Sequence, residues 1–205
     1  MATIEPSLTN LLQLFSLIAP LLLGFLLVMS SLFNQDIKGL VYLGGVLLAT
    51  VINLFLMSMI NSERNVHEQT PMCDVLSLPQ NLSRYNSPST SSLFIAFTIA
   101  YLVLPMKYNN QMNYVLLAFL LCLFALDAYT NITNKCTTSG GSILGGLVGF
   151  VLGSIWFSIF HYTGYNSLLY FDELMSNKVV CARPSKQTFK CSVYKNGQLI
   201  SSNIA

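Results

Sequence analysis

Side chains that could transfer a proton or hold a fixed charge are sparse in this chain. There are two histidines, His67 and His161, and five cysteines, of which Cys181 and Cys191 lack the short paired spacing of a zinc site. A catalytic site in a membrane would have to gather such groups on one side, in the polar segments 62–89 and 128–139. We therefore expect no metal site, no cofactor and no nucleic-acid partner.

Two segments carry a resemblance to a known family. The run Pro88-Ser89-Thr90-Ser91 and the apolar stretch after it resemble the proline-serine-glycine-histidine motif and following helix of the type 2 phosphatidic acid phosphatase superfamily. Residues 137–149 resemble the stretch that follows the nucleophilic histidine of that family. The resemblance covers roughly residues 55–160. It implies a lipid headgroup site formed by Arg64, Arg84, Ser89, Thr90 and Ser91.

The departures from that family concern its reactive groups. Its acid histidine corresponds to Ser91, its nucleophile to Thr137 or Thr138, and its arginine to Asn131 or Ile132. Phosphoryl transfer in the family needs two histidines and fixed positive charge. We therefore expect shared architecture with a vestigial headgroup site, and no catalytic residues.

The elements that must position these residues follow from composition. Hydrophobic residues make up 53% of the chain and charged residues 9%, against about 25% charged in a typical soluble domain. Long charge-free stretches match the roughly 20 apolar residues that span a bilayer. The sequence predicts an all-α membrane bundle over residues 1–171, with spans near 9–33, 39–61, 90–106, 110–127 and 140–163. Asp127 then ends the fourth span, where we expect it to reach water.

Small residues recur every four positions in two of these spans. The fifth carries Gly141, Gly145, Gly149 and Gly153, and the second carries Gly45, Ala49 and Asn53. In lipid, such rows let two helices approach closely. The two rows could pack on each other or on other neighbours, and the glycine face of the fifth helix could join copies of the chain.

Charge distribution predicts the orientation in the bilayer. With five spans, one side receives Lys38, Lys107, Lys178, Arg183, Lys186, Lys190 and Lys195, and the other receives Arg64, Arg84 and Lys135. Because basic residues stay on the cytoplasmic side, the tail is predicted to be cytoplasmic and the N-terminus and the 62–89 loop lumenal. That lumenal side holds two glycosylation triplets, at Asn81 and Asn131, and two cysteines that could be bridged, Cys73 and Cys136.

The tail, residues 172–205, is polar and basic. Asn196-Gly197 lies between two alternating segments and predicts a β-hairpin. An isolated hairpin is marginally stable, so we expect this one to bind anionic lipid or a protein. The basic residues that would make this contact are Arg183, Lys186, Lys190 and Lys195.

A second resemblance concerns this tail. Residues 181–200 resemble the ending of multi-span membrane proteins encoded by large DNA viruses of algae and protists. The resemblance implies a structural role in the lipid layer beneath an icosahedral capsid, with the tail bound to a capsid-side protein. The other two functions considered are an inactive lipid phosphatase-like protein and a small transporter or channel subunit.

Overall fold

The computed structural model describes residues 8–63, 73, 85–110, 112–170, 190–195 and 198–204. Its helices are α1 (Leu8–Phe33), α2 (Lys38–Ile60), α3 (Thr90–Tyr108), α4 (Tyr114–Thr133) and α5 (Ser139–Tyr162). Each of the five is long and apolar enough to cross a bilayer. The predicted all-α membrane fold is confirmed, and the chain is an integral membrane protein.

The largest error in the predicted spans concerns α4. The sequence placed the fourth span at 110–127, whereas α4 runs from Tyr114 to Thr133 and so includes Asp127 in its interior. The prediction ended the helix at a charge, because an isolated charge is costly in hydrocarbon. The helix continues because hydrogen bonds from α3 and α4 satisfy the carboxylate.

The most enclosed helix is α3, and its closest neighbour is α5. The two run parallel, with Gly145 of α5 against the backbone of Ser89 and Gly153 against that of Phe97. A Cβ atom added at either glycine would lie closer to this backbone than real Cβ atoms come. The glycine row is therefore the contact surface that brings α5 onto α3.

Because this row is buried inside the chain, the predicted joining of two copies through the glycine face is wrong. Gly141, Gly145, Gly149 and Gly153 are all buried in the described structure. The small row of α2 faces side chains of α3 and α5 rather than a backbone. A Cβ atom at Gly45 would meet the rings of Trp156 and Phe97, and the indole of Trp156 donates to the carbonyl oxygen of Val41 at 3.2 Å.

Aromatic side chains fill the core between α2, α3 and the segment after α5. The rings of Tyr42 and Tyr101 lie 5.6 Å apart, and Tyr101 meets Tyr170 edge-on at 6.3 Å. The hydroxyls of Tyr42 and Thr98 are 2.7 Å apart, and the hydroxyl of Tyr170 donates to the carbonyl oxygen of Leu27 in α1. The chain after α5 thus returns through a short 3-10 helix, Asn166–Leu168, to cover the bundle.

The tail contains two antiparallel strands, β1 (Lys190–Lys195) and β2 (Gln198–Ile204). Lys190 pairs with Ile204 and Lys195 with Gln198, and the register shifts between Val193 and Tyr194. The chain divides into two units, Met1–Leu174 and Met175–Ala205. The boundary at 171 stays a prediction. Arg183, Lys186 and the turn residues Asn196-Gly197 lie outside the described residues.

Candidate functional site

The polar side chains of the bundle gather at the end where α3 and α5 begin and α4 finishes. We call this the disulfide end, because Cys73 and Cys136 are joined there. The disulfide links the segment before α3 to the turn between α4 and α5, the pairing that the sequence left open. Asn86 strengthens the same end by accepting a hydrogen bond from Ser62 through its side chain at 2.7 Å.

Asp127 is the centre of a cluster that we call the polar hub: Ser89, Ser92 and Asp127, which are buried, and Ser91 and Asn131, which are half-buried. Only 1% of Asp127 is exposed. One carboxylate oxygen accepts from the hydroxyls of Ser91 and Ser92 at 3.0 and 3.1 Å, and the other accepts from the amide of Asn131 at 2.8 Å. The expectation that Asp127 reaches water is therefore wrong.

Local helix geometry places these donors. Ser89 caps α3, its hydroxyl accepting from the backbone N–H of Ser92, so the serines of the first turn lie at the helix start. Asn131 lies one turn after Asp127 in α4 and on the same face, and its amide also reaches the hydroxyl of Ser91 at 3.1 Å. A capped helix start and an i, i+4 pair thus meet across the helix–helix contact.

A second contact ties α2 to the start of α3. The amide of Asn53 donates to the hydroxyl of Thr90 at 3.1 Å and to the carbonyl oxygen of Pro88 at 3.5 Å. Asn53 is fully buried, and its own side-chain oxygen has no hydrogen-bond partner within the described ranges. The start of α3 is therefore held by α2 on one side and by α4 on the other.

The loop before α3 is also bonded to α5. The backbone N–H of Ser89 donates to the carbonyl oxygen of Gly141 at 3.0 Å. The hydroxyl of Thr137 donates to the backbone carbonyl oxygen of Asn86 at 2.6 Å. Thr138 caps α5 through its own hydroxyl, which accepts from the N–H of Gly141. Both threonine hydroxyls are thus hydrogen-bonded to the backbone.

Comparison of the chain with protein-family models, with curated proteins and with solved structures gives no significant match. Neither resemblance seen in the sequence gains support from these comparisons. Function has to be argued from the geometry of the hub and the architecture around it.

The structure brings together only part of the predicted headgroup site. Ser89, Thr90 and Ser91 lie side by side at the start of α3, but their hydroxyls are committed to partners within the bundle. Arg64 and Arg84 lie outside the described residues, as does His67. The amide nitrogen of Asn131, predicted as a glycan acceptor, donates hydrogen bonds to Asp127 and Ser91.

The described geometry does not assemble a nucleophile with a base. His161 lies at the opposite end of α5, where its ring stacks on Phe157 and its Nδ1 is 2.9 Å from the side-chain oxygen of Asn166. Among the residues that the structure describes, no group of His, Cys, Asp and Glu could hold a metal ion. What the hub does chemically is to join α3 to α4 by charge-assisted hydrogen bonds.

Proposed function

We propose that this chain is a structural integral membrane protein that holds lipid through its helical bundle and a protein partner through its basic tail. The observation that carries the proposal is the mutual satisfaction of the polar hub. The carboxylate of Asp127 and the hydroxyls of Ser91 and Ser92 bond to one another across a helix contact. Polar groups used in this way stabilise a bundle, and none of them is left free to activate a nucleophile.

The proposed location is the internal membrane of a large DNA virus, with a capsid-side protein as the partner. The resemblance of residues 181–200 supports this location. The strands β1 and β2 supply a second argument, because a two-stranded hairpin is marginally stable by itself and offers strand edges to which another chain can add. Basic residues in and before β1 suit an acidic surface on such a partner.

The proposed orientation places the disulfide end outside the cytoplasm and the tail in it, facing the capsid. Disulfides form and persist in oxidising compartments, which favours a lumenal position for Cys73 and Cys136. The distribution of lysine and arginine along the chain favours the same orientation. The two arguments are independent, since one depends on redox chemistry and the other on membrane insertion.

Truncation after Asp172 tests the role of the tail. We expect the truncated protein to remain in membranes but to be lost from assembled particles. A full-length control with glutamine in place of Arg183, Lys186, Lys190 and Lys195 keeps the chain length while removing charge. Loss of that variant from particles indicates charge recognition, and its retention indicates strand pairing. Retention of the truncated protein in particles would contradict the docking role.

A second candidate function is that of an inactive lipid phosphatase-like protein. It is favoured by one contact: the two segments that resemble that family meet, with Ser89 bonded to Gly141. Purified protein incubated with phosphatidic acid is expected to release no phosphate. Turnover that disappears in His67→Ala would instead establish an enzyme.

The structure gives less support to the third class considered, a small transporter or channel subunit. Such a protein needs a polar path along the bundle. Beyond the hub, the described core is dominated by apolar and aromatic side chains such as Leu93, Phe97 and Leu102. We therefore do not propose transport.

A further inference from the structure

Two exposed tyrosines bound the outer surface of α4. Tyr114 is 74% exposed and Tyr129 is 71% exposed, and the exposed side chains between them are apolar, among them Phe119 and Leu121. Neither tyrosine hydroxyl has a hydrogen-bond partner among the residues that the structure describes. Because an unpaired hydroxyl is costly in hydrocarbon, each must reach water or lipid headgroups. The two tyrosines therefore indicate where α4 meets the two interfaces of the bilayer.

The distance between these interfaces is short. Tyr114 and Tyr129 are fifteen residues apart, which corresponds to about 22 Å along the helix axis. The hydrocarbon core of a typical bilayer is about 30 Å thick. Since any tilt of α4 reduces the thickness that it spans, about 22 Å is an upper limit. The hydrocarbon layer that fits the outer surface of α4 is therefore thinner than average.

The neighbouring helix α5 gives a second measure of the same height. Its exposed apolar side chains run from Ile143 to Ile159, about 24 Å along the axis. Serine and glycine precede this run, and Tyr162, which is exposed, follows it. The two helices are in contact, because a Cβ atom added at Gly146 would meet the ring of Phe124 from α4. They therefore form one continuous surface of low apolar height.

The longer helices do not remove this limit. α1 and α2 have 26 and 23 residues, whereas α3 and α4 have 19 and 20. A long helix fits a thin layer by tilting, but a short helix cannot be extended, so the bilayer has to become thinner around it. The outer surface of α4 and α5 therefore decides which bilayer fits the bundle.

We propose that this surface, formed by the exposed side chains from Tyr114 to Tyr129 and from Ile143 to Ile159, is matched to a thin bilayer. Its partner is a phospholipid whose acyl chains are shorter than oleoyl, such as myristoleoyl or palmitoleoyl, because chain length sets the hydrocarbon thickness. In a thicker bilayer, the lipids beside this surface are compressed. The inference requires only that the chain crosses a bilayer, and it does not depend on the tail or its partner.

Thermal unfolding of the natural protein in lipid vesicles tests this inference. The vesicles are made of phosphatidylcholines that differ only in their monounsaturated chains, from myristoleoyl through palmitoleoyl and oleoyl to erucoyl. At a fixed heating rate, the unfolding temperature should be highest with myristoleoyl or palmitoleoyl chains and several degrees lower with erucoyl chains, since each ångström of mismatch costs free energy. A maximum with oleoyl or longer chains, or no dependence on chain length, would overturn the inference.

Variants of α4 separate the height of its surface from a general effect of the lipid. Tyr114→Leu combined with Tyr129→Leu removes both hydroxyls and extends the exposed apolar surface to Ile132. The maximum should then move to the next longer chain. Phe119→Leu is the control, because it removes an exposed ring from the middle of the same surface and should leave the maximum in place. The same maximum in both variants would show that the tyrosines do not set the height.

The depth of a spin label gives a measurement that needs no change at either tyrosine. Cys122 is exposed and lies midway between Tyr114 and Tyr129. With serine at the two tail cysteines, a nitroxide on Cys122 should lie at the centre of a dioleoyl phosphatidylcholine bilayer, accessible to oxygen and shielded from a water-soluble nickel complex. The same label on Ile132→Cys, with serine at position 122, should be accessible to the nickel complex. Equal shielding at the two positions would place hydrocarbon beyond Tyr129 and overturn the inference.

Discussion

Gly149 of α5 lies directly against the backbone of Leu93 in α3, with no side chain between them. The same contact recurs one turn earlier, at Gly145 and Ser89. In lipid, helices gain little from the hydrophobic effect and associate through close packing and hydrogen bonds. The close packing of the α5 glycines on the backbone of α3 is therefore the main contact that holds these two helices together.

Substitution of Gly149 should destabilise the folded protein, because it disrupts this contact. A Cβ atom would collide with the carbonyl oxygen of Leu93, which belongs to the backbone and cannot turn aside. We expect Gly149→Ala to lower the free energy of unfolding in detergent by about 1–3 kcal/mol. Gly140→Ala is the matched control, because no atom lies within 4 Å of its added Cβ. Equal effects of the two substitutions would show that α3 and α5 are not packed in this way.

The bond between Ser92 and Asp127 should contribute measurably to stability. Ser92→Ala removes one donor to the carboxylate and should cost about 0.5–1.5 kcal/mol of unfolding free energy. In an Asp127→Ala background the same substitution should cost much less, since its acceptor is gone. Ser158→Ala, which removes a bond local to α5, should have the same effect in both backgrounds. Additivity of Ser92→Ala with Asp127→Ala would contradict the described bond.

The sequence predicted the five spans because charge-free length reports directly on the thickness of the bilayer. It does not predict the hub, because a charged residue such as Asp127 after an apolar run indicates the end of a spanning helix. Two signals could have found it. Asp127 and Asn131 are spaced to share a helix face, and Ser89 to Ser92 place four hydroxyl-bearing residues at a helix start. Neither signal identifies its partner, which depends on how α3 and α4 meet.

The glycine row shows the same limit in another form. Its four-residue spacing predicts a close helix contact, because that spacing keeps small residues on one face. It does not say which helix approaches. Copies of α5 and the small face of α2 satisfy the pattern as well as α3 does. The deciding feature, a backbone ridge on α3 at Ser89, Leu93 and Phe97, has no distinctive sequence.

The hydroxyl of Tyr42 should stabilise the folded protein although it lies in an apolar core. It lies 2.7 Å from the hydroxyl of Thr98, and the ring is fully buried. We expect Tyr42→Phe to lower the free energy of unfolding by about 0.5–1.5 kcal/mol, through loss of one buried hydrogen bond. Tyr114→Phe is the control, since that side chain is 74% exposed. The hydroxyl of Thr98 keeps its own bond to the carbonyl oxygen of Phe94 at 2.9 Å in either variant. No difference between the two variants would therefore contradict a stabilising bond from Tyr42 to Thr98.

Cysteine labelling tests the proposed orientation at both ends of the bundle. Gly140 lies at the disulfide end, Asn34 lies in the turn between α1 and α2 at the other end, and both are exposed. Each is changed to cysteine in a background with serine at Cys122, Cys181 and Cys191, which leaves the disulfide intact. A membrane-impermeant maleimide added to sealed microsomes, whose outer face is cytoplasmic, should label Gly140→Cys only after the membrane is made permeable.

Asn34→Cys should be labelled by the same reagent at once, without permeabilisation. This difference follows from the redox argument, since a disulfide between Cys73 and Cys136 requires the oxidising side of the membrane. The opposite pattern would place the disulfide end in the cytoplasm. The basic tail would then lie on the far side of the membrane, where it could not reach a cytoplasmic capsid partner, and the structural proposal would fail along with the orientation.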